Sequence, residues 1–163
     1  MSHPLRTSLG VAALAICAVA PATPAAAASA RQDHVERAVV RQVNAVRAQH
    51  GLRALRTSRG LARAADAKAH ELAQRNVLDH ASPDGTSMLN RVRRYVDAHV
   101  YGETLATAPR VGGEAAIIVR AWMSSPAHRA ALLSPKFRRV GVGRRATSGG
   151  SRSVIAVDLA SAR

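Results

Sequence analysis

Apolar residues recur at helical intervals through most of this chain and switch to alternation only near its end. Between residues 33 and 49, Val35, Val39, Val43 and Val46 share a stripe with Ala38, while Arg37, Arg41, Gln42 and Arg47 fall mostly off it. Gly51, just past His50, suits the left-handed position that stops such a helix. Thr57 or Ser58 can cap a second helix whose apolar face is Leu61, Ala64, Ala65, Ala69, Leu72 and Ala73. Its many alanines favour the helix and let a neighbour approach closely. Ser82-Pro83-Asp84-Gly85 reads as a turn, and Ser87 can cap a short third helix carrying Leu89, Val92 and Val96. Val100-Tyr101-Gly102-Glu103 is too short to classify alone.

Gly112-Gly113 breaks the chain before a fourth helix with Ile117, Ile118, Ala121 and Trp122 on its buried face. Ser125 at N-cap and Pro126 at N1 start a fifth, which Leu132 and Leu133 pin to the core. In the tail, Val140 and Val142 alternate with Gly141 and Gly143, Ser148 to Ser151 makes a turn, and Val154 to Leu159 is a second strand. Helices followed by a hairpin predict an α+β domain with a small sheet.

The first 30 residues stand outside this pattern. Arg6 precedes an apolar run from Leu9 to Ala20, too short to span a bilayer comfortably, and small residues follow to Ala30. This is the layout of a secretory signal peptide over residues 1–30, leaving 31–163 as a single domain. An uncleaved anchor and a lipoprotein modified at Cys17 are the rival readings, the latter disfavoured by bulky Ile16. Beyond residue 30 there is no cysteine, so no disulfide staples the exported domain.

The whole chain has 24 Lys and Arg against 10 Asp and Glu. The excess is spread along the sequence rather than gathered in one tract. Such a surface is drawn to anionic envelope polymers. Export and the scarcity of aromatics argue against a nucleic-acid partner. A monomer is expected.

Three polar residues near predicted breaks carry the candidate chemistry: His80, Glu103 and His128. Imidazole and carboxylate are the groups that coordinate metal or move protons near neutral pH. If they converge they can hold a divalent ion, zinc first, on His80 and His128 with Glu103 as a further ligand. They can equally form the polar floor of a ligand cleft. Spacings of 22 and 24 residues between them carry no compact metal-site pattern. His34, His50, His70 and His99 read as surface or helix-end residues. Trp122 reads as the core's anchor, Ser125 and Pro126 as structural, and Asp158 as a strand carboxylate needing a basic or backbone partner.

Several ordered motifs resemble one family. Asn44-x-x-Arg47-x-x-x-Gly51-Leu52-x-x-Leu55 is similar to its opening segment. Asp79-His80-x-Ser82-Pro83-Asp84-Gly85 and Tyr101-Gly102-Glu103 follow. Trp122-Met123-x-Ser125-Pro126-x-His128-Arg129-x-x-Leu132-Leu133 and Phe137-Arg138-x-Val140-Gly141-Val142-Gly143 complete the set. The chain resembles bacterial members of the CAP superfamily (cysteine-rich secretory protein, antigen 5 and pathogenesis-related 1) over residues 35 to 160. The resemblance implies an α-β-α sandwich with a small central antiparallel sheet and places His80, Glu103 and His128 at the shared cleft. Thr104 stands where the family has Asn, and Ser125 where eukaryotic relatives carry a second glutamate. Three functions stay open: a secreted, non-enzymatic cleft-binding module for a small ligand, lipid, peptide or divalent metal; a metal-assisted peptidase-like hydrolase; and a basic structural or adhesive envelope protein. No organic cofactor is expected.

Overall fold

The computed structural model describes residues 24–163, with side chains from residue 34 onward. Helix α1 spans Pro24–Gln49, strand β1 Arg56–Thr57, α2 Arg59–Arg75, α3 Met88–Arg93, β2 Tyr101–Pro109, α4 Glu114–Ser124, α5 Pro126–Leu132, β3 Arg139–Ala146 and β4 Arg152–Ala160. The first helix begins nine residues earlier than its apolar stripe indicates, inside the segment read as leader. The rest of that segment, Cys17 included, lies outside the described residues.

The strands form one sheet in the order β1-β3-β4-β2. β3, β4 and β2 are antiparallel neighbours, while the two-residue β1 joins β3 in parallel, so the sheet is mixed at one edge. The predicted hairpin is β3 and β4. β2 is the strand that the sequence left unclassified. Its inner neighbour β4 supplies the partners that a nine-residue stretch of small and polar residues lacks by itself.

Helices cover both faces, giving the expected three layers. On one side α2 packs Ala65, Ala69, Leu72 and Ala73 against Leu105, Val154 and Ala156. Its approach is close because β3 presents glycines there. A Cβ on Gly141 would lie 2.1 Å from the Ala62 nitrogen, and one on Gly143 2.3 Å from the Asp66 nitrogen. On the other side α1, α4 and α5 bury Val39, Val43, Ile118, Trp122 and Leu132 against Val140, Val142 and Val157. The buried face of α4 is Ala115, Ile118, Val119 and Trp122. Ala121, expected inside, is exposed, because the face is set one residue further round.

The caps are largely those foreseen. Gly51, at φ +67°, closes α1: its N–H donates to Ala48 O and that of Leu52 to Arg47 O, the paired bonds of a Schellman stop. Ser58 Oγ accepts from the Leu61 N–H and Ser87 Oγ from the Asn90 N–H. Ser125 occupies the N-cap of α5 with Pro126 at N1, but its hydroxyl makes no capping bond, contrary to the role expected of it. The opening motif also has a physical meaning. The Asn44 side chain donates to Leu55 O at 3.0 Å and accepts from Leu55 N–H at 2.8 Å, fastening the incoming strand. Arg47, expected off the buried stripe, is fully buried. It donates to Arg53 O, Leu132 O and Ser134 O, tying the end of α1 to the end of α5.

Candidate functional site

Two of the three candidate residues meet directly. Glu103 stands on β2, facing the α2 layer, with its side chain 1 % exposed. His80 follows the C-terminal turn of α2 and has a side chain 57 % exposed, with Nδ1 2.7 Å from Glu103 Oε1. A carboxylate oxygen accepts, so Nδ1 carries the proton and donates. That tautomer puts the ring's lone pair on Nε2, in a side chain that is more than half exposed.

Glu103 cannot turn away from this task, because Arg91 of α3 holds its other oxygen, Oε2. The same guanidinium donates through Nη1 to His80 O at 3.1 Å. One residue on, Ala81 O accepts from Lys68 Nζ at 2.8 Å. Lys68 sits on the apolar face of α2, is 0 % exposed and also pairs with Glu71 Oε1 at 2.9 Å. Glu71 Oε2 in turn accepts from Ser82 Oγ. Lys68, Ser82 and Arg75 draw the Glu71 carboxyl below its ordinary range, outweighing the opposite pull of burial, which is the largest single influence. The ring of His80 is thus fixed by Glu103, and its backbone by two buried cations on successive carbonyls.

Asp158 lies beneath this pair. It stands on β4, between Glu103 of β2 on one side and Gly141 of β3 on the other. It is fully buried, and neither oxygen has a hydrogen-bond partner. The partner expected from the sequence is present only at a distance, with Arg91 Nη2 3.9 Å from Oδ1. Burial first, and then the charge of Glu103, hold the Asp158 carboxyl well above the ordinary carboxylate range against the opposing pull of Arg91 and Lys68. Thr104 faces the opposite side of β2. Its buried hydroxyl has no partner, so support for Glu103 comes from Arg91 rather than from the residue that follows it in sequence.

His128 stands at N3 of α5, in the other helical layer, and is half-buried. Among the described residues no hydrogen bond joins it to His80 or Glu103. α5 packs against β2, the edge strand that both layers flank. Trp122 is 1 % exposed and anchors the same edge through its Nε1–H, which donates to Leu105 O at 3.0 Å. Among the described residues no three His, Cys, Asp or Glu side chains gather as a metal cluster. The donor chemistry that fits zinc is the outward Nε2 of His80, backed by a carboxylate on its other nitrogen.

Lys68 and Arg91 are the working residues that the sequence reading missed. For Lys68 the available signal was a lone cation on the apolar stripe of Ala64, Ala65, Ala69 and Leu72; Arg91, off the Leu89-Val92-Val96 stripe and close to Arg93 and Arg94, carried no such signal. Glu114, which no motif singles out, is buried and forms two bonds to Arg144, at 2.9 and 2.7 Å. A groove of about 520 Å³ lies between α1 and α4, lined by Val46, Val119 and Met123 among others. His80, Glu103 and His128 are not among its lining residues.

Comparison with known proteins agrees with this architecture. The Bacillus subtilis protein YkwD, itself uncharacterized, is 33% identical over 109 residues, 66% of this chain and 41% of its own length. The membrane protein YlbC of the same organism is 31% identical over 109 residues, 31% of its length. The chain therefore matches less than half of either curated relative. Among solved structures, an outer surface protein of Borrelia burgdorferi superposes with a TM-score of 0.70 at 22% identity, covering 80% of this chain and 94% of that one. An extracellular SCP-domain protein of Bacillus anthracis gives 0.73 at 21% identity, covering 88% and 45%. These two structures share the fold. The model of the CAP family, the cysteine-rich secretory protein family, matches residues 40–157, and the chain belongs to that family.

Proposed function

We propose that this is an extracellular binding module whose ligand-contacting group is the outward edge of His80. One observation carries the reading: an exposed imidazole is held by a carboxylate, an arginine and a lysine that are all buried. Desolvating three charges is costly. A histidine with no task beyond solubility needs no such support. Exposed Val77 and Leu78, just before His80 in the chain, add an apolar lip. The fold's outer-surface and extracellular relatives support placement outside the cell.

The ligand is a small molecule, a peptide or a divalent ion. Zinc bound here would take His80 through Nε2 and His128 from across β2, leaving open positions for water or ligand. The polypeptide's share is to fix one tautomer and to present one donor atom. A hydrolytic reading is less well supported. Both Glu103 oxygens are committed to His80 and Arg91, so the site has no idle base beside the ring.

Zinc titration calorimetry tests this on the wild-type protein and on His80→Ala, His128→Ala and Glu103→Gln. The expected wild-type result is saturable binding near one equivalent, abolished in both imidazole variants. Glu103→Gln weakens it by about 10- to 100-fold, the usual effect of losing an orienting carboxylate. No saturable wild-type binding, or an unchanged affinity in His80→Ala, sinks the zinc reading.

A further inference from the structure

Acidic residues are unevenly placed along this chain. None falls between Glu36 and Asp66, and none between Glu114 and Asp158. The first of these segments holds seven Lys and Arg and the second eight, of 24 in the whole chain. The fold brings the two segments together. β1 pairs with β3 so that Arg56 stands opposite Arg139, and the Arg56 N–H donates to Arg138 O at 2.9 Å. Arg53 O meets Leu132 O and Ser134 O on the single guanidinium of Arg47. Arg59 opens α2 two residues after β1 ends. Part of the positive charge that looks dispersed in the sequence, that of Arg53, Arg56, Arg59, Arg138 and Arg139, is therefore gathered at one sheet edge.

The two ends of β3 are treated differently. At its far end Arg144 is neutralised by Glu114, and Arg145 pairs with Asp66. At the near end, among the described residues, neither Arg53, Arg56 nor Arg59 pairs with a carboxylate. The Arg138 and Arg139 side chains reach only carbonyls, at Pro135 and Phe137 for the first and at Ser161 and Asp97 for the second. Buried Arg47 also faces only carbonyls and leaves Nη2 without a partner. Burial, and then the neighbouring charge of Arg138, pull its guanidinium below the ordinary arginine value. The first turn of α2 holds no acid, so the positive pole of that helix adds to the field. Like charges on paired strands repel, so counter-charge from outside would stabilise this edge.

We infer that the β1–β3 edge, centred on Arg53, Arg56, Arg59 and Arg138, docks a linear phosphodiester polymer of the cell envelope. Guanidinium forks match phosphate oxygens two by two, and all four groups are arginine. Nucleic acid fits less well, because base stacking needs exposed rings. Phe137, which precedes Arg138, is 5 % exposed, and Tyr95, whose backbone meets Gly60 beside Arg59, is a single exposed ring where stacking uses several.

Poly(glycerol phosphate) titrated into the full chain at several salt concentrations tests the inference. The wild-type affinity is expected to fall steeply with salt. In R53Q/R56Q/R59Q it falls about tenfold or more at low salt, and the logarithmic salt slope drops by about two, the release expected for three lost single-strand phosphate contacts. R120Q/R129Q/R152Q removes the same charge elsewhere and stays within about twofold of wild type. Equal weakening in the two variants overturns the location. Tighter binding of hyaluronate or of an oligonucleotide overturns the ligand class. Zinc affinity is expected to be unchanged in R53Q/R56Q/R59Q, so this surface and the His80 site stand or fall separately. The side chains of Arg53, Arg56 and Arg59 make no hydrogen bonds among the described residues, and matching thermal melts confirm that the variant is folded.

Discussion

Arg91 and Arg47 are both buried, yet they are solvated by opposite means. Arg91 sits between two carboxylates, bonded to Glu103 and 3.9 Å from Asp158, and turns another nitrogen to His80 O. Arg47 has no acid at all and is held by the carbonyls of Arg53, Leu132 and Ser134. Carbonyl dipoles satisfy a guanidinium without cancelling its charge. The Arg91 region is therefore locally balanced and rigid, and it presents a single histidine. The Arg47 region is equally tied down but keeps its positive field, and it lies beneath a sheet edge lined with further arginines. The same residue type positions a ring in one place and charges a surface in the other.

Removing each cation separates the two roles. Arg91→Ala leaves Glu103 and Asp158 buried together with no cation between them, so we expect a loss of about 3–5 kcal/mol, the usual result of breaking a buried ion pair from one side. The loss should shrink in acid, where protonation relieves the repulsion, and zinc binding through His80 should fail even in the folded fraction. Urea unfolding at pH 4 and pH 7 measures this; an equal loss at both would mean that Arg91 acts only through packing. Arg47→Ala strands three carbonyls but no charge, so about 2–4 kcal/mol is expected, with little pH dependence. Zinc affinity should stay at the wild-type value in Arg47→Ala, and polyanion binding should weaken. If Arg47→Ala also abolishes zinc binding, the two regions are one mechanical unit and the distinction collapses.

The asymmetry between the regions also explains what could be read from the sequence. Helices α2, α4 and α5 and the β3–β4 hairpin were legible, because an apolar stripe, a cap or an alternation announces each within a few residues. His80 and Glu103 were legible as candidates from their place in the family's motifs. β2 was not, because Tyr101–Pro109 gains its strand character from pairing with β4, a partner some fifty residues away. Lys68, Arg91 and Arg47 were hidden for a related reason. A basic residue is ordinarily assigned to solvent, and only the arrival of a distant acid or carbonyl makes its burial tolerable. In a chain with so many arginines, composition conceals the few that are structural. The gathering of charge at β1–β3 was invisible for the same reason: it depends on a parallel pairing between residues 56–57 and 139–140.

The finest test of the comparison lies in Asp158, the one member of the balanced region that is not itself balanced. Its folded-state carboxyl is held well above its ordinary value, so the folded protein keeps this proton over a pH range where the unfolded chain has released it. Below about pH 4, the ordinary aspartate range, both states are protonated and the residue is harmless. As pH rises through the window between the unfolded and folded values, stability falls, and above it the ionised carboxylate burdens the fold in full. Asp158→Asn removes that burden while keeping size and polarity. The variant is therefore expected to match wild type near pH 4 and to exceed it by about 1–2 kcal/mol at pH 8, the scale of one buried group without a partner. Denaturant midpoints across that range measure the difference. A gain that does not grow with pH would show that Arg91, 3.9 Å away, already neutralises Asp158. A loss at pH 8 would show more: that the ionised carboxylate is required there, and that Arg91 is shared between two acids rather than assigned to Glu103.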